Sequence, residues 1–87
     1  MSNIIVTQKE INDLINTAEI KTLTVFEKCT VVIVKLKNGF ILTESSACVD
    51  PENYSEEVGR EICMECITNK LWELEGYKLQ NKISEEE

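Results

Sequence analysis

The sequence predicts an α+β fold: a short N-terminal helix, a three-stranded antiparallel meander and a long C-terminal helix packed on the sheet. Three observations predict it. Apolar residues recur at helical spacing near the start. Three runs rich in β-branched and aromatic residues follow, two of them separated by Asn38-Gly39. A longer stretch of helical periodicity then begins after a proline-marked connector.

Thr7 followed by Glu10 is a capping box that opens the first helix. Ile11, Leu14, Ile15 and Ala18 give it one apolar stripe. The runs "IKTLTVF", "TVVIVKL" and "FILTES" suit pleated, half-buried strands. A turn near Glu27-Lys28 joins the first two. Asn38-Gly39 predicts a type I′ hairpin between the second and third, because both central positions of that turn need positive φ. Asp50 before Pro51 resembles an N-cap with proline at the first helical position, enough for one isolated turn. Asn53 with Glu56 offers the cap of the long helix, expected to reach about Leu74 with Gly76 as its stop. The domain is expected to span residues 1–82, with residues 83–87 a disordered acidic tail.

Size and charge narrow the function classes. Eighty-seven residues with 43% hydrophobic content allow one thin core, for which self-association is an economical complement, so a homo-oligomer is expected. No apolar run approaches the roughly 20 residues of a membrane span, and the first ten residues lack a secretory pattern, so a cytoplasmic protein is expected. A net charge of −7 argues against direct nucleic-acid binding, which rests on cations neutralising phosphates. With no histidine there is no Ser-His or Cys-His nucleophile pair, and neither G-x-x-x-x-G-K-[ST] nor G-x-G-x-x-G occurs. An enzyme is not expected, nor is a cofactor.

Cys63 and Cys66 form a C-x-x-C pair within "ICMECIT". A four-ligand zinc site would need Cys29 and Cys48 as well, and neither has a C-x-x-C partner of its own. A redox couple would sit at a helix start, whereas this pair is in mid-helix. Both thiols are therefore expected in the core, where free cysteines are common, and no metal is expected. Arg60 is the one arginine, one turn into the long helix. It can pair with Glu56 at i,i+4, or offer a planar fork to a phosphate beside the helix N-terminus, with Ser45 and Ser46 supplying hydroxyls. Trp72 falls outside the Cys63–Ile67–Leu71 arc of a simple helical wheel. It either packs under the C-terminal segment or, with Tyr77, meets another protein.

The stretches "NGF", "ESSACVDPEN", "EVGR" and "LWELEGY" resemble the bacteriophage small-protein family labelled gene 49 and gene 66, over roughly residues 5 to 82. The resemblance implies a phage or prophage source and a bacterial cytosol, without an assigned chemistry. By analogy with small phage accessory proteins, the expected function is a non-enzymatic binder that counters host defence by sequestering a nucleotide-derived signal. The alternative is an inhibitor that masks a basic host protein through the acidic surface.

Overall fold

The computed structural model describes residues 5–86; residues 1–4 and 87, which include the ends of the expected domain and tail, lie outside them. The order is α1 (Gln8–Asn16), β1 (Glu19–Val25), β2 (Cys29–Lys35), β3 (Ile41–Ala47), a single 3-10 turn (Pro51–Asn53) and α2 (Glu56–Glu86). The sheet is antiparallel with strand order β1-β2-β3. The α+β meander expected from the sequence is therefore present. Thr7 caps α1, its hydroxyl accepting from the Glu10 N–H at 3.2 Å.

Both hairpins form, but with exchanged turn chemistry. Between β2 and β3 the loop is Lys37-Asn38-Gly39, closed by Gly39 N–H donating to Leu36 O at 2.8 Å. Only Gly39 enters the left-handed region (φ 94°), so this is a three-residue loop with a bulged glycine and not the two-residue type I′ turn. The Asn38 side chain instead accepts from Phe40 N–H at 3.0 Å, an Asx-type contact that holds the residue out of that region. Positive φ at two successive residues occurs in the other hairpin, at Phe26 (53°) and Glu27 (61°). Neither is a residue type that favours it, at a cost of about 1 kcal/mol each.

The connector follows its capping signals in part. Asp50 accepts from Glu52 N–H at 2.9 Å and Pro51 opens the 3-10 turn, as expected. The cap of α2 is Ser55, not Asn53: its hydroxyl accepts from Val58 N–H at 3.3 Å and its carbonyl from Gly59 N–H at 3.0 Å. The helix then continues through Gly76, which does not stop it, and through residues 83–86. At 31 residues it is about 46 Å long, against about 24 Å for a seven-residue strand. The C-terminal half of α2 therefore projects past the sheet.

The core is Ile11, Val32, Val34, Leu36, Leu42, Cys63, Ile67 and Leu71, with Leu14, Ile15, Ile20, Met64 and Trp72 packed against it. The buried positions of α2 are Gly59, Cys63, Ile67 and Leu71. Each i to i+4 step turns about 40° beyond a full circle, so this stripe winds around the helix as it rises. It faces the sheet at Gly59. By Leu71 it has turned toward α1, which brings half-buried Trp72 onto the core, and half-buried Leu79 and Ile83 extend the same winding line. A fixed wheel drawn through Cys63 misses this drift, and it misplaces Cys66 and Leu74, both of which are exposed.

Gly59 and Gly76 respond oppositely to added volume. A Cβ at Gly59 would lie 2.8 Å from Thr30 Cβ and closer still to its hydroxyl, whereas a Cβ at Gly76 meets nothing within 4 Å. Gly59→Ala is expected to destabilise by about 1–3 kcal/mol through overpacking. Gly76→Ala is expected to stabilise by about 0.5–1 kcal/mol through helix propensity. Urea unfolding of the two variants, read by far-UV circular dichroism, checks both signs.

Candidate functional site

The helix-facing side of the sheet is graded along its strands. Under the later turns of α2 it is apolar, with Ile20, Val32, Val34 and Leu42. Under the first two turns it carries Thr22, Thr24, Thr30 and Ser46, because the registers Thr22↔Val32, Thr24↔Thr30 and Thr30↔Ser46 put these hydroxyls on one face. Thr30 is fully buried, yet its hydroxyl lies 2.6 Å from the Tyr54 hydroxyl, which lies 2.8 Å from that of Thr24. Thr24 in turn donates to the Glu56 carboxylate.

Counting protons orients this chain. An ionised carboxylate only accepts, so the single Thr24 proton goes to Glu56. Tyr54 must then donate to Thr24, and Thr30 to Tyr54. The result is a one-directional relay from the buried threonine to a carboxylate in the first turn of α2, where the helix dipole favours negative charge. It ties the connector to β1 and β2. The residue types differ from those the sequence pointed to: neither Tyr54 nor the threonine row was singled out. The available signal was Thr22, Thr24 and Thr30 at even spacing within their strands.

The expected cluster of Arg60, Ser45 and Ser46 does not converge. Successive strand residues point to opposite faces, so Ser45 lies on the side of the sheet away from α2 and Ser46 on the side toward it. Ser46 lines a shallow recess on the β3 side of α2, with Tyr54, Val58 and Ile62. Arg60 leans the other way, its Nε donating to Thr22 on β1 at 3.2 Å. The three side chains thus occupy both edges and both faces of the sheet. The i,i+4 pair of Arg60 with Glu56 is also absent among the described residues, since Glu56 is engaged by Thr24. Trp72 is half-buried against the core, whereas Tyr77 is 69% exposed on the projecting part of α2.

The C-x-x-C pair divides. Cys63 is buried, its thiol directed at the Thr30 carbonyl at 3.8 Å, and burial pushes its ionisation above the ordinary thiol range. Cys66 is exposed, which corrects the expectation that both thiols are core. Cys29 and Cys48 are half-buried. Among the described residues no three Cys, Asp or Glu side chains gather closely enough to hold a metal ion. Nor is any helix there long and apolar enough to cross a membrane.

The outer ridge of α2 is acidic. Glu57, Glu61, Glu65 and Glu73, on the side opposite the buried stripe, are exposed and form no ion pair among the described residues. Lys70 reaches sideways to Glu44 on β3, and Lys78 lies 4.0 Å from Glu75.

A helix laid on a three-stranded meander, a satisfied hydroxyl network and an acidic helical ridge define a small α+β protein. The chain belongs to the phage protein (N4 Gp49/phage Sf6 gene 66) family, whose model matches residues 6–83. No curated protein and no solved structure matches it.

Four outcomes are expected for this region. Tyr54→Phe removes the acceptor of the buried Thr30 hydroxyl and is expected to cost about 1–3 kcal/mol in unfolding free energy. In the native protein a thiol reagent should modify Cys66 and reach Cys63 only on unfolding. Cys63→Ala should cost about 1 kcal/mol or more, and Cys66→Ala less than about 0.5 kcal/mol. The raised Cys63 ionisation also fixes a sign. The unfolded thiol loses its proton first, so stability is greatest below its ordinary value of 9.0 and declines as pH climbs through the folded one. Denaturant midpoints measured across that range, with Cys63→Ala as the reference, isolate this contribution.

Proposed function

We propose that the protein is a non-enzymatic phage accessory protein that works by protein contact in the bacterial cytoplasm, masking a basic host protein and thereby counteracting host defence. The observation that carries this reading is the carboxylate ridge of Glu57, Glu61, Glu65 and Glu73 on the outward side of α2, unpaired among the described residues. Glu57, Glu61 and Glu65 follow one another about 6 Å apart along the axis, and Glu73 stands two turns, about 12 Å, further on. Like charges at i,i+4 weaken a helix by about 0.2–0.5 kcal/mol per pair, a cost that a basic partner reverses on binding. The chain's net charge of −7 adds long-range attraction for such a partner and speeds encounter.

The other reading, sequestration of a nucleotide-derived signal, rests on Arg60. Within the described residues its guanidinium bonds only through Nε, and it stands near the amino end of α2. Ser45 and Ser46 lend this reading no support from where they lie. The masking reading therefore stands first.

An affinity pull-down from infected cells tests it. The expected result is a basic host protein that is retained at low ionic strength, released as salt screens the ridge, and lost when Glu57, Glu61 and Glu65 are all changed to Gln. Retention unaffected by the triple variant would overturn the reading. Release of a nucleotide on denaturing the purified protein would favour the alternative. In that case Arg60→Lys should weaken nucleotide binding about tenfold or more while leaving the melting temperature nearly unchanged.

A further inference from the structure

The part of α2 that projects past the sheet carries an apolar seam of its own. Trp72, Gly76, Leu79 and Ile83 recur at spacings of four, three and four. That is the a/d pattern of a helix that packs along another helix. It ends at polar residues on the same spacing, Asn69 before it and Glu86 after it. Trp72 rests on the core, while Leu79 and Ile83 are half-buried. Ile5 and Val6 line a groove with Leu79 along one flank of the seam. The other flank is open: Asn69 and Glu73 are exposed there, and a Cβ added at Gly76 would meet nothing within 4 Å.

We propose that this seam is a self-association surface, on which the projecting end of a second copy lies antiparallel. Direction and charge select that occupant. The sheet lies along the first part of α2, so parallel pairing would crowd two domains at one end, whereas antiparallel pairing sets them at opposite ends. In antiparallel register Trp72 faces Ile83 of the second copy, and Gly76 faces Leu79 of the second copy. Glu75 then flanks the seam opposite Lys82 of the second copy, and the twofold repeats the pair. Parallel pairing would offer Glu75 only the uncharged Gln80. Among the described residues Lys82 has no ion pair, and Glu75 has only Lys78 at 4.0 Å. The stretch also escapes the repulsion between chains of net charge −7, because residues 69–83 set Lys70, Lys78 and Lys82 against Glu73 and Glu75. Shape agrees with this location. The radius of gyration is 15.9 Å and the long axis 55 Å, against a radius of about 12 Å for a compact chain of this length. The uncovered surface is thus on the projection, and a helix already formed pays no nucleation cost when it pairs. Glu57, Glu61 and Glu65 stay uncovered, so the proposal does not depend on the masking function.

Sedimentation equilibrium on the full chain, with folding checked by circular dichroism, tests this. The wild type is expected to show twice the 9.9 kDa chain mass at about 100 μM. Glu75→Lys sets lysine against lysine at both flanks and is expected to weaken dimerisation about tenfold or more. It also moves the net charge from −7 to −5, so a general easing of repulsion would act in the opposite direction. Lys82→Glu, at an exposed position, is expected to weaken the dimer likewise and keeps the test decisive if Glu75→Lys fails to fold. Combining the two substitutions restores opposite charges and is expected to restore the dimer. A wild type that stays monomeric at about 100 μM would overturn the proposal. So would a folded Lys82→Glu variant that dimerises as well as the wild type, or a folded double variant that stays as weak as the single ones.

Discussion

The close approach of α2 to β2 at Gly59 and Thr30 governs much of the remaining structure. With only a hydrogen on Gly59, the first turns of the helix lie directly on the central strand, and the threonine is sealed from water. A sealed hydroxyl needs a partner, and Tyr54 supplies it from the connector. The tyrosine then reaches Thr24, and Thr24 engages Glu56, so one steric contact propagates into a network spanning two strands, the connector and the helix start. Cys63, one turn further along, rests its thiol on the Thr30 carbonyl and continues the contact into the apolar core.

This arrangement divides the labour of the sheet. Near the start of α2 the interface is held by directed hydrogen bonds and near the hairpin end by burial of Val34, Leu36, Leu42 and Leu71. The threonines that serve the first purpose occupy inward positions on β1, and the alternation of the strand then sends Leu23 and Val25 outward. The polar network inside and the apolar surface outside are thus two consequences of one register. The acidic ridge is a third surface, separated from the apolar one by the thickness of the domain.

The sequence disclosed most of the architecture because short-range chemistry determines it. Thr7, Asp50 and Pro51 act where their local geometry says they should, and the three β-branched runs form the three strands. Misreadings arose where a local signal met a longer-range one. Asn38-Gly39 marks a turn but does not choose between two loop lengths, a choice that depends on strand register. Gly76 is a common helix stop, yet the apolar line from Trp72 through Leu79 to Ile83 carries the helix past it. Arg60, Ser45 and Ser46 are near the amino end of α2 in sequence or in space. Their directions are fixed by the pleat and by Thr22, and no spacing rule contains that information.

The winding of the buried stripe around α2 also limits how the chain length of this protein can change. Every contact above Cys63 depends on the accumulated rotation below it, so one residue inserted between Cys63 and Ile67 would turn all later positions by about 100°. Trp72 would leave the core and an outward glutamate would approach it. Beyond Ile83 no such phase remains to be kept, since Ser84, Glu85 and Glu86 face solvent. Variation in length is therefore free at the end of the helix and forbidden in its middle, and the boundary between the two regimes is the last residue that still follows the turning line.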